Sequence, residues 1–243
     1  MPHVAVLAPM PLELDAVVAA FGLEPSDDGT ATWSGRVGRT AVTVLRTGMG
    51  PARAREATEE LLDRDGSGGR PMDHVMVVGI CGGLDPGLPV GTVLRPDVVV
   101  DYVTGARFDH TPPGDGPTSG GIVTTEGVAF DDDLSRVLAA QGFTGVDMES
   151  SAVAGACAVR GLPWSVHRCI SDRYVDRLLD PRIVAFTDAD GNVDVDAVVR
   201  LLDAEPEIGP KLERLGRDAA DAARLAAEDA LAACLVLDRA GRV

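Results

Sequence analysis

The sequence predicts an α/β protein with a mixed central β-sheet between layers of helices. Short apolar runs, typical of strands covered on both faces, alternate with segments of helical periodicity along the chain. No repeat of fixed period is present, which excludes a solenoid. At 243 residues and 45% hydrophobic content, the chain can bury a large core, and residues 1–243 are expected to form a single domain.

The first half of the chain is predicted to begin with a buried strand and a helix. Residues 4–7 are all apolar, and the prolines that follow suit the start of a helix over residues 12–18. The other elements expected in this half are a hairpin over 31–37 and 40–46, a helix over 52–62, and a buried strand over 74–78 that runs into a glycine turn at 79–83.

The second half alternates in the same way and ends in a long helical segment. A surface loop or flap is expected over residues 105–121, because the run Thr111-Pro112-Pro113-Gly114 cannot pack a core. From about residue 193 the chain is predicted to be helical, and its alanine-rich tail is expected to lie against the sheet or a partner subunit. A stripe of residues at helical spacing would face that contact: Leu212, Leu215, Ala219, Ala222 and Ala226. The remaining predictions are one or two strands within 92–102, strands over 122–125 and 163–170, a helix over 132–141, and a helix that follows the 146–154 segment and ends at 160.

Charge and cysteine content narrow the possible partners. Acidic residues outnumber basic ones 38 to 22, and the net charge of −16 argues against nucleic acid or an anionic membrane surface as a partner. The four cysteines are far apart in apolar surroundings, without metal-ligand spacing, so they predict reduced core residues and no metal site. No signal peptide or membrane-spanning run is evident, and a cytoplasmic protein with a small-molecule substrate is expected.

The glycine-rich turn after residue 78 does not indicate a nucleotide cofactor. Its sequence, Gly79-Ile80-Cys81-Gly82-Gly83, lacks the G-x-G-x-x-G spacing of a dinucleotide site. The chain also lacks the P-loop sequence G-x-x-x-x-G-K-[ST]. We therefore expect no cofactor.

Three acidic residues follow the ends of predicted strands. Glu13, Glu149 and Asp172 would meet at one edge of the sheet if these strands were parallel neighbours. Mutual repulsion would raise at least one pKa and place a proton donor beside an acceptor, while Arg168 would offset part of the negative charge. This combination suits cleavage of a glycosidic bond.

Each of these residues also has a plain structural interpretation. Glu13 and Glu149 can be first-turn helix acids, and Asp172 can cap the segment that follows it. Ser171 could act as a nucleophile, but no histidine shows a triad pattern with it. His167 is expected on the opposite strand face from Arg168, in a structural role.

Five motifs in order resemble the nucleoside phosphorylase and nucleosidase superfamily. The resemblance is strongest to the 5′-methylthioadenosine/S-adenosylhomocysteine nucleosidases, and it implies a three-layer phosphorylase/hydrolase-like fold. Because these relatives are commonly dimers or larger, the resemblance also implies a homodimer. The motifs are residues 8–13, 48–50, 79–86 with Gly91, 146–154, and 168–172.

The resemblance also implies a role for each site residue. Asp172 would protonate the purine leaving group, Glu13 would activate water with Arg168 near it, and Glu149 would bind the ribose hydroxyls. The other residues expected at the substrate are Met148 against the sugar, Ser171 beside Asp172, and Met10, Ile80, Cys81, Gly82 and Val128.

Departures from the family pattern keep alternatives open. Ile80 stands where the nucleosidases usually have Ser, and Val128 where they usually stack an aromatic ring on the base. Related phosphorylases have Arg and Ser where this chain has Val77 and Ile80, so water is the favoured nucleophile. Arg46 keeps a phosphorylase as an alternative. A purine-binding domain without catalysis is a further alternative.

The group at the 5′ position of the sugar is a separate question. Residues 79–86, which include Ile80, and residues 190–194 before the predicted C-terminal helical segment resemble the hopanoid-associated nucleosidases, which release adenine from adenosylhopane. This resemblance suggests the hypothesis of a bulky apolar 5′ substituent.

Overall fold

A mixed β-sheet forms the centre of the protein. The computed structural model describes residues 1–26, 32–66, 71–110, 112–114, 116–128, 132–179 and 181–240. The eleven strands within these residues belong to one sheet. They are β1 (His3–Ala8), β2 (Glu24–Pro25), β3 (Thr32–Val37), β4 (Thr40–Arg46), β5 (His74–Gly83), β6 (Val93–Leu94), β7 (Val98–Asp101), β8 (Arg107–Asp109), β9 (Gly121–Thr124), β10 (Phe143–Asp147) and β11 (Trp164–Arg173).

Helices pack on this sheet and connect its strands. They are α1 (Pro11–Phe21), α2 (Pro51–Gly66), α3 (Asp132–Ala140), α4 (Ser150–Arg160), α5 (Pro181–Ala185), α6 (Val195–Ala204) and α7 (Gly209–Ala240). Short 3₁₀ turns follow β11 and α6, at Tyr174–Asp176 and Pro206–Ile208. The predicted α/β class with a mixed sheet is therefore confirmed. Folding of the whole chain as a single domain stays a prediction.

Strand β5 joins the two halves of the sheet. Along most of its length it lies between β1 and β11, parallel to both. At its end, Gly82 and Gly83 pair with β10 in the antiparallel direction. Strands β9 and β7 then extend the sheet in parallel to β10. The condition of parallel neighbouring strands is therefore not met: β1 and β11 are parallel but lie on either side of β5, and β10 pairs with β5 in the antiparallel direction. The three acids still meet, because β10 ends at the junction with β5.

The predicted glycine turn at residues 79–83 is also wrong, because these residues continue β5. Glycine is needed there for close approach: a Cβ on Gly79 would overlap Glu13 Oε1 and lie 2.5 Å from Arg168 Nη1. Strand β11 likewise continues past its predicted end at residue 170, so Ser171 and Asp172 lie within the strand.

The expected surface loop at residues 105–121 is only partly a loop. It contains β8, which pairs with β7, and His110 is buried with its ring nitrogen Nδ1 2.8 Å from the Pro96 carbonyl. Thr111 and Asp115 lie outside the described residues, as does Ala31 of the predicted hairpin. None of the described residues in 105–121 lines the cavity at the ends of β1, β5, β10 and β11.

The C-terminal helix α7 lies against the sheet, which is one of the two predicted alternatives; the other was contact with a partner subunit. It packs on α1, β5 and β11 and buries a row of alanines, which allows the helix to approach the sheet closely. Of the predicted stripe, Ala222 and Ala226 are buried, while Leu212, Leu215 and Ala219 are half-buried. None of the described helices is long and apolar enough to cross a lipid bilayer.

Candidate active site

A fully buried arginine lies at the centre of the candidate site. The Arg168 side chain is 1% exposed and donates hydrogen bonds to three carboxylates. Its Nη2 lies 2.7 Å from Glu149, its Nε 3.0 Å from Asp147 and its Nη1 3.3 Å from Glu13. Burial disfavours the charge on Arg168, but the three acids raise its pKa above the ordinary value. The arginine is therefore a permanent cation shared by three elements of the fold.

Glu13 is held at the start of α1, immediately after β1. Its Oε2 accepts a hydrogen bond from the Met10 amide at 2.8 Å, and its Oε1 accepts one from the Ile80 amide at 2.7 Å. The side chain is thus both a helix-start acceptor, as the structural interpretation suggested, and a member of the buried cluster. Burial raises the pKa of Glu13 to about 7, with Arg168 opposing the shift. A base with that pKa can accept a proton near neutral pH.

Glu149 occupies the N-cap position of α4, but its carboxylate makes no capping hydrogen bond. Instead, its Oε1 accepts a hydrogen bond from the Gly50 amide at 2.8 Å, and its Oε2 accepts from Arg168. Burial raises its pKa while Arg168 lowers it and the neighbouring Asp147 raises it further. The interpretation of Glu149 as an ordinary first-turn helix acid is therefore wrong.

Asp147 is a site residue that sequence reasoning missed. It is buried at the end of β10, and its Oδ1 accepts a hydrogen bond from the Thr124 hydroxyl at 2.7 Å. Its Oδ2 accepts from Arg168 Nε and from the amide and hydroxyl of Ser150. The signal in the sequence was a second acid two positions before Glu149, which could share the buried-strand arginine Arg168 as its partner.

Asp172 stands apart from the arginine cluster. Its Oδ1 accepts a hydrogen bond from the Ser171 hydroxyl at 2.7 Å. Burial raises the pKa of Asp172 to about 6, although the Ser171 hydrogen bond opposes the shift. Because Ser171 donates to Oδ1, the acid proton is best carried by Oδ2. Asp172 does not cap the following 3₁₀ turn, where Arg173 occupies the N-cap position.

One cavity of about 510 Å³ brings these groups together. Every residue that the sequence analysis placed at the site lines it: Met10, Glu13, Ile80, Cys81, Gly82, Val128, Met148, Glu149, Arg168, Ser171 and Asp172. The cavity lies where the ends of β1, β5, β10 and β11 meet. Asp147, Met49 and Tyr174 also line it and were not predicted.

The charged lining is mostly anionic. Among the described residues, the acids are Glu13, Asp132, Asp147, Glu149 and Asp172, and the cations are Arg168, Arg173 and Arg177. Arg173 pairs with Asp176 at 2.8 Å, and Arg177 pairs with Asp132 at 2.6 Å. Arg46, the candidate phosphate ligand, is exposed at the end of β4 and does not line the cavity.

The other polar residues considered from sequence lie elsewhere. His167 contacts Ser165 Oγ at 2.9 Å and Asp229 at 2.6 Å, on the strand face opposite Arg168, as predicted. Val77 is packed in the hydrophobic core. The four cysteines are buried and free, and burial raises the pKa of the Cys81 thiol well above its ordinary value.

The fold and the cavity define an α/β protein whose strand ends carry a buried acid cluster beside a separate protonatable acid. The family model of the phosphorylase superfamily matches residues 3–120 and 115–204. The chain therefore belongs to the phosphorylase superfamily.

Similar proteins include a curated relative and several solved structures. Futalosine hydrolase from Streptomyces coelicolor is 29% identical, over 79% of this chain and 94% of the relative. A 5′-methylthioadenosine/S-adenosylhomocysteine nucleosidase from Colwellia psychrerythraea, in complex with adenine, superposes with a TM-score of 0.70 at 17% identity, covering 97% of this chain and 96% of that one. Futalosine hydrolase from Helicobacter pylori gives 0.69 at 14% identity, covering 96% and 97%. These structural likenesses extend over the whole fold.

Proposed function

We propose that this protein is a purine nucleosidase, which hydrolyses the N-glycosidic bond of a purine nucleoside and releases the free base and the sugar. The observation that carries the proposal is the presence of a protonatable acid, Asp172, in the same cavity as the Glu13, Glu149 and Arg168 cluster. A binding protein has little use for two buried carboxyls whose pKa values are raised toward neutrality, because burying them destabilises the fold.

Asp172 is the proposed general acid. With a pKa of about 6, a substantial fraction carries a proton in slightly acidic solution. Its protonated Oδ2 would donate to a ring nitrogen of the departing purine, so that the base leaves as a neutral molecule. Ser171 fixes the carboxyl through Oδ1 and thereby selects the oxygen that faces the base.

Glu13 and Glu149 serve the sugar side in this proposal. Glu13 would accept a proton from the attacking water, and Arg168, which donates a hydrogen bond to Glu13, would orient that carboxylate and the water. Glu149 would accept hydrogen bonds from the ribose 2′ and 3′ hydroxyls, with Met148 packed against the ring. Negative charge around the sugar stabilises the oxocarbenium-like transition state of glycosidic cleavage.

Water is preferred to phosphate as the nucleophile because of the charges around the site. A phosphate group needs cationic, often bidentate, partners. Arg168 already donates to three carboxylates, and the other two lining arginines are paired with aspartates. Ile80 also offers no hydroxyl to an oxyanion. A phosphorylase is thus the second candidate, and a requirement for phosphate in turnover would distinguish it from a hydrolase.

The substrate is proposed to carry an apolar group at its 5′ position. Several apolar side chains line the cavity, among them Pro9, Met10, Met49, Leu179 and Val184. Val128 replaces an aromatic base-stacking partner, so an adenine-type base is a proposal that rests on the likeness to the adenine-bound nucleosidase. The likeness to futalosine hydrolases makes futalosine a necessary member of any substrate panel.

Product analysis on a nucleoside panel tests the proposal. The purified protein is incubated with methylthioadenosine, adenosylhomocysteine, futalosine, inosine and adenosylhopane, with and without phosphate, and the base and sugar are identified by mass spectrometry. We expect release of free purine and free sugar without phosphate from at least one substrate. Binding of purine without turnover of any nucleoside would favour the binding-domain alternative.

Two further expectations belong to this proposal. A homodimer is proposed on the resemblance alone and is tested by analytical ultracentrifugation, where a monomer at micromolar concentration would reject it. A cytoplasmic location is supported by four buried cysteines without a disulfide.

A further inference from the structure

We infer that Asp147 is a positioning residue of this site: it fixes the orientation and shares the charge of Arg168, and so controls Glu13 and Glu149 through its hydrogen bond to that arginine. The inference rests on the proposed function for its consequence in catalysis. Its structural basis is independent of the substrate.

The planar guanidinium of Arg168 links Asp147 to Glu13 and Glu149. This group is planar and rigid, so a hydrogen bond to Nε determines where Nη1 and Nη2 point. Asp147 accepts from Nε at 3.0 Å, while Nη1 and Nη2 donate to Glu13 and Glu149. Glu13 lies in the first turn of α1, and Glu149 lies at the N-cap of α4. The orientation set by Asp147 therefore fixes the distance between the proposed water-activating acid and the proposed sugar-binding acid.

Asp147 is itself held rigidly, which a positioning residue requires. Thr124 donates to its Oδ1 at 2.7 Å, and the Thr124 hydroxyl oxygen in turn accepts the Ser151 amide at 2.9 Å. The Ser150 amide donates to Oδ2 at 3.1 Å. All of these donors are buried. Strand β9, strand β10 and the first turn of α4 thus hold one carboxylate that points at Arg168.

Charge sharing gives Asp147 a second effect. One guanidinium faces three carboxylates, and its single positive charge stabilises the ionised form of all three. Asp147 raises the pKa of Glu149, and its removal would leave more of the Arg168 charge to Glu149 and Glu13. Both glutamates would then stay ionised at lower pH. The pH optimum of the rate, which lies midway between the pKa values of the base and the acid, would move to lower pH.

A purely structural role, as an acceptor for the first amide of α4, makes a different prediction. Asn is as good an acceptor as Asp at a helix start. Substitution Asp147→Asn would then be silent, whereas the positioning role predicts a loss of about 10- to 100-fold in kcat/KM, by analogy with the residues that orient metal ligands in metalloenzymes. Ser150→Ala is the matched control, because it removes one hydrogen bond to the same carboxylate and keeps the charge.

The experiment combines kinetics with a titration that needs no turnover. The pH profile of kcat/KM is measured for the wild type, D147N, D147E and S150A, and the carboxyl carbons of Glu13 and Glu149 are followed by ¹³C NMR. We expect D147N to lose at least about tenfold in kcat/KM, to shift the pH optimum to lower pH, and to lower the pH at which the Glu149 carboxyl titrates in the NMR experiment. In D147E, which keeps the charge, Glu149 should titrate nearer to its wild-type pH, and S150A should keep the wild-type pH optimum.

Two results would overturn the inference. One is a D147N protein with wild-type kcat/KM and unchanged Glu149 titration, and the other is an equal shift in S150A. If no nucleoside is cleaved by the wild type, the proposed function fails, but the NMR comparison still decides whether Asp147 controls Arg168. If D147N does not fold, D147E and S150A are compared with the wild type instead. A changed titration of Glu149 in S150A but not in D147E would contradict the argument from charge.

Discussion

Replacing Asp172 by Asn should stabilise the protein while it removes most of the activity. The carboxyl has its pKa raised from 3.8 to about 6 by burial. Because the folded-state pKa lies above the unfolded value, the stability contribution of the carboxyl is complete below about pH 3.8 and is lost as the pH rises through about 6. The difference of about 2.2 corresponds to about 3 kcal/mol at 1.36 kcal/mol for each pKa unit.

The neutral amide introduced by Asp172→Asn avoids this cost and can still accept the Ser171 hydrogen bond. D172N should therefore exceed the wild type in free energy of unfolding by an amount that grows between about pH 4 and pH 6 and then levels off, near 3 kcal/mol. Urea unfolding at pH 4, 6 and 8 measures this difference. The control is Asp15→Asn, which removes the same charge from an exposed position on α1.

The same variant tests the proposed general acid. Loss of a general acid typically costs about 10²- to 10⁴-fold in rate, and we expect kcat to fall by that amount with a smaller change in KM. A difference in stability that is constant with pH would refute the burial argument. Undiminished turnover of the substrate found for the wild type would refute the assignment of Asp172.

Three other predictions concern the remaining members of the cluster. Activity should peak near pH 6.5, midway between the pKa of about 7 for Glu13, which must be ionised, and that of about 6 for Asp172, which must be protonated; a rate that rises steadily to pH 9 would contradict it. Glu149→Gln should raise KM and lower kcat, with a combined loss of at least about tenfold, because it weakens both sugar binding and transition-state charge; a change in KM alone would assign it to binding only. Arg168→Met should lower the free energy of unfolding by about 3–5 kcal/mol, because it leaves three buried carboxylates without their cation. Arg46→Met, at an exposed position, should change the free energy of unfolding little in the same urea assay.

The sequence predicted the strands and helices that deliver the site, because their apolar runs and proline or glycine boundaries are local signals. The element β1 and the helix after it were predicted within a few residues, and so Glu13 was correctly placed at a strand end. Arg168 was expected to offset the acids because it precedes Asp172 by four positions.

Other features depend on pairing between distant strands and have no local signal. The segment after Val78 was predicted as a turn from its glycines, yet it continues β5, because the missing side chains let Glu13 and Arg168 approach the backbone. The antiparallel contact of Val146 with Gly82 was likewise not predictable from periodicity. Asp147 was missed because only the folded chain brings its carboxylate to Arg168 Nε.

The most direct test of the central claim is the fate of phosphate during turnover. The substrate found in the nucleoside panel is incubated with the purified protein in phosphate buffer, and the products are followed by ³¹P NMR together with an assay for free reducing sugar. Hydrolysis predicts one free sugar for each purine released, an unchanged phosphate signal, and the same rate in phosphate-free buffer. Formation of a sugar 1-phosphate, with no purine release when phosphate is omitted, would contradict the account.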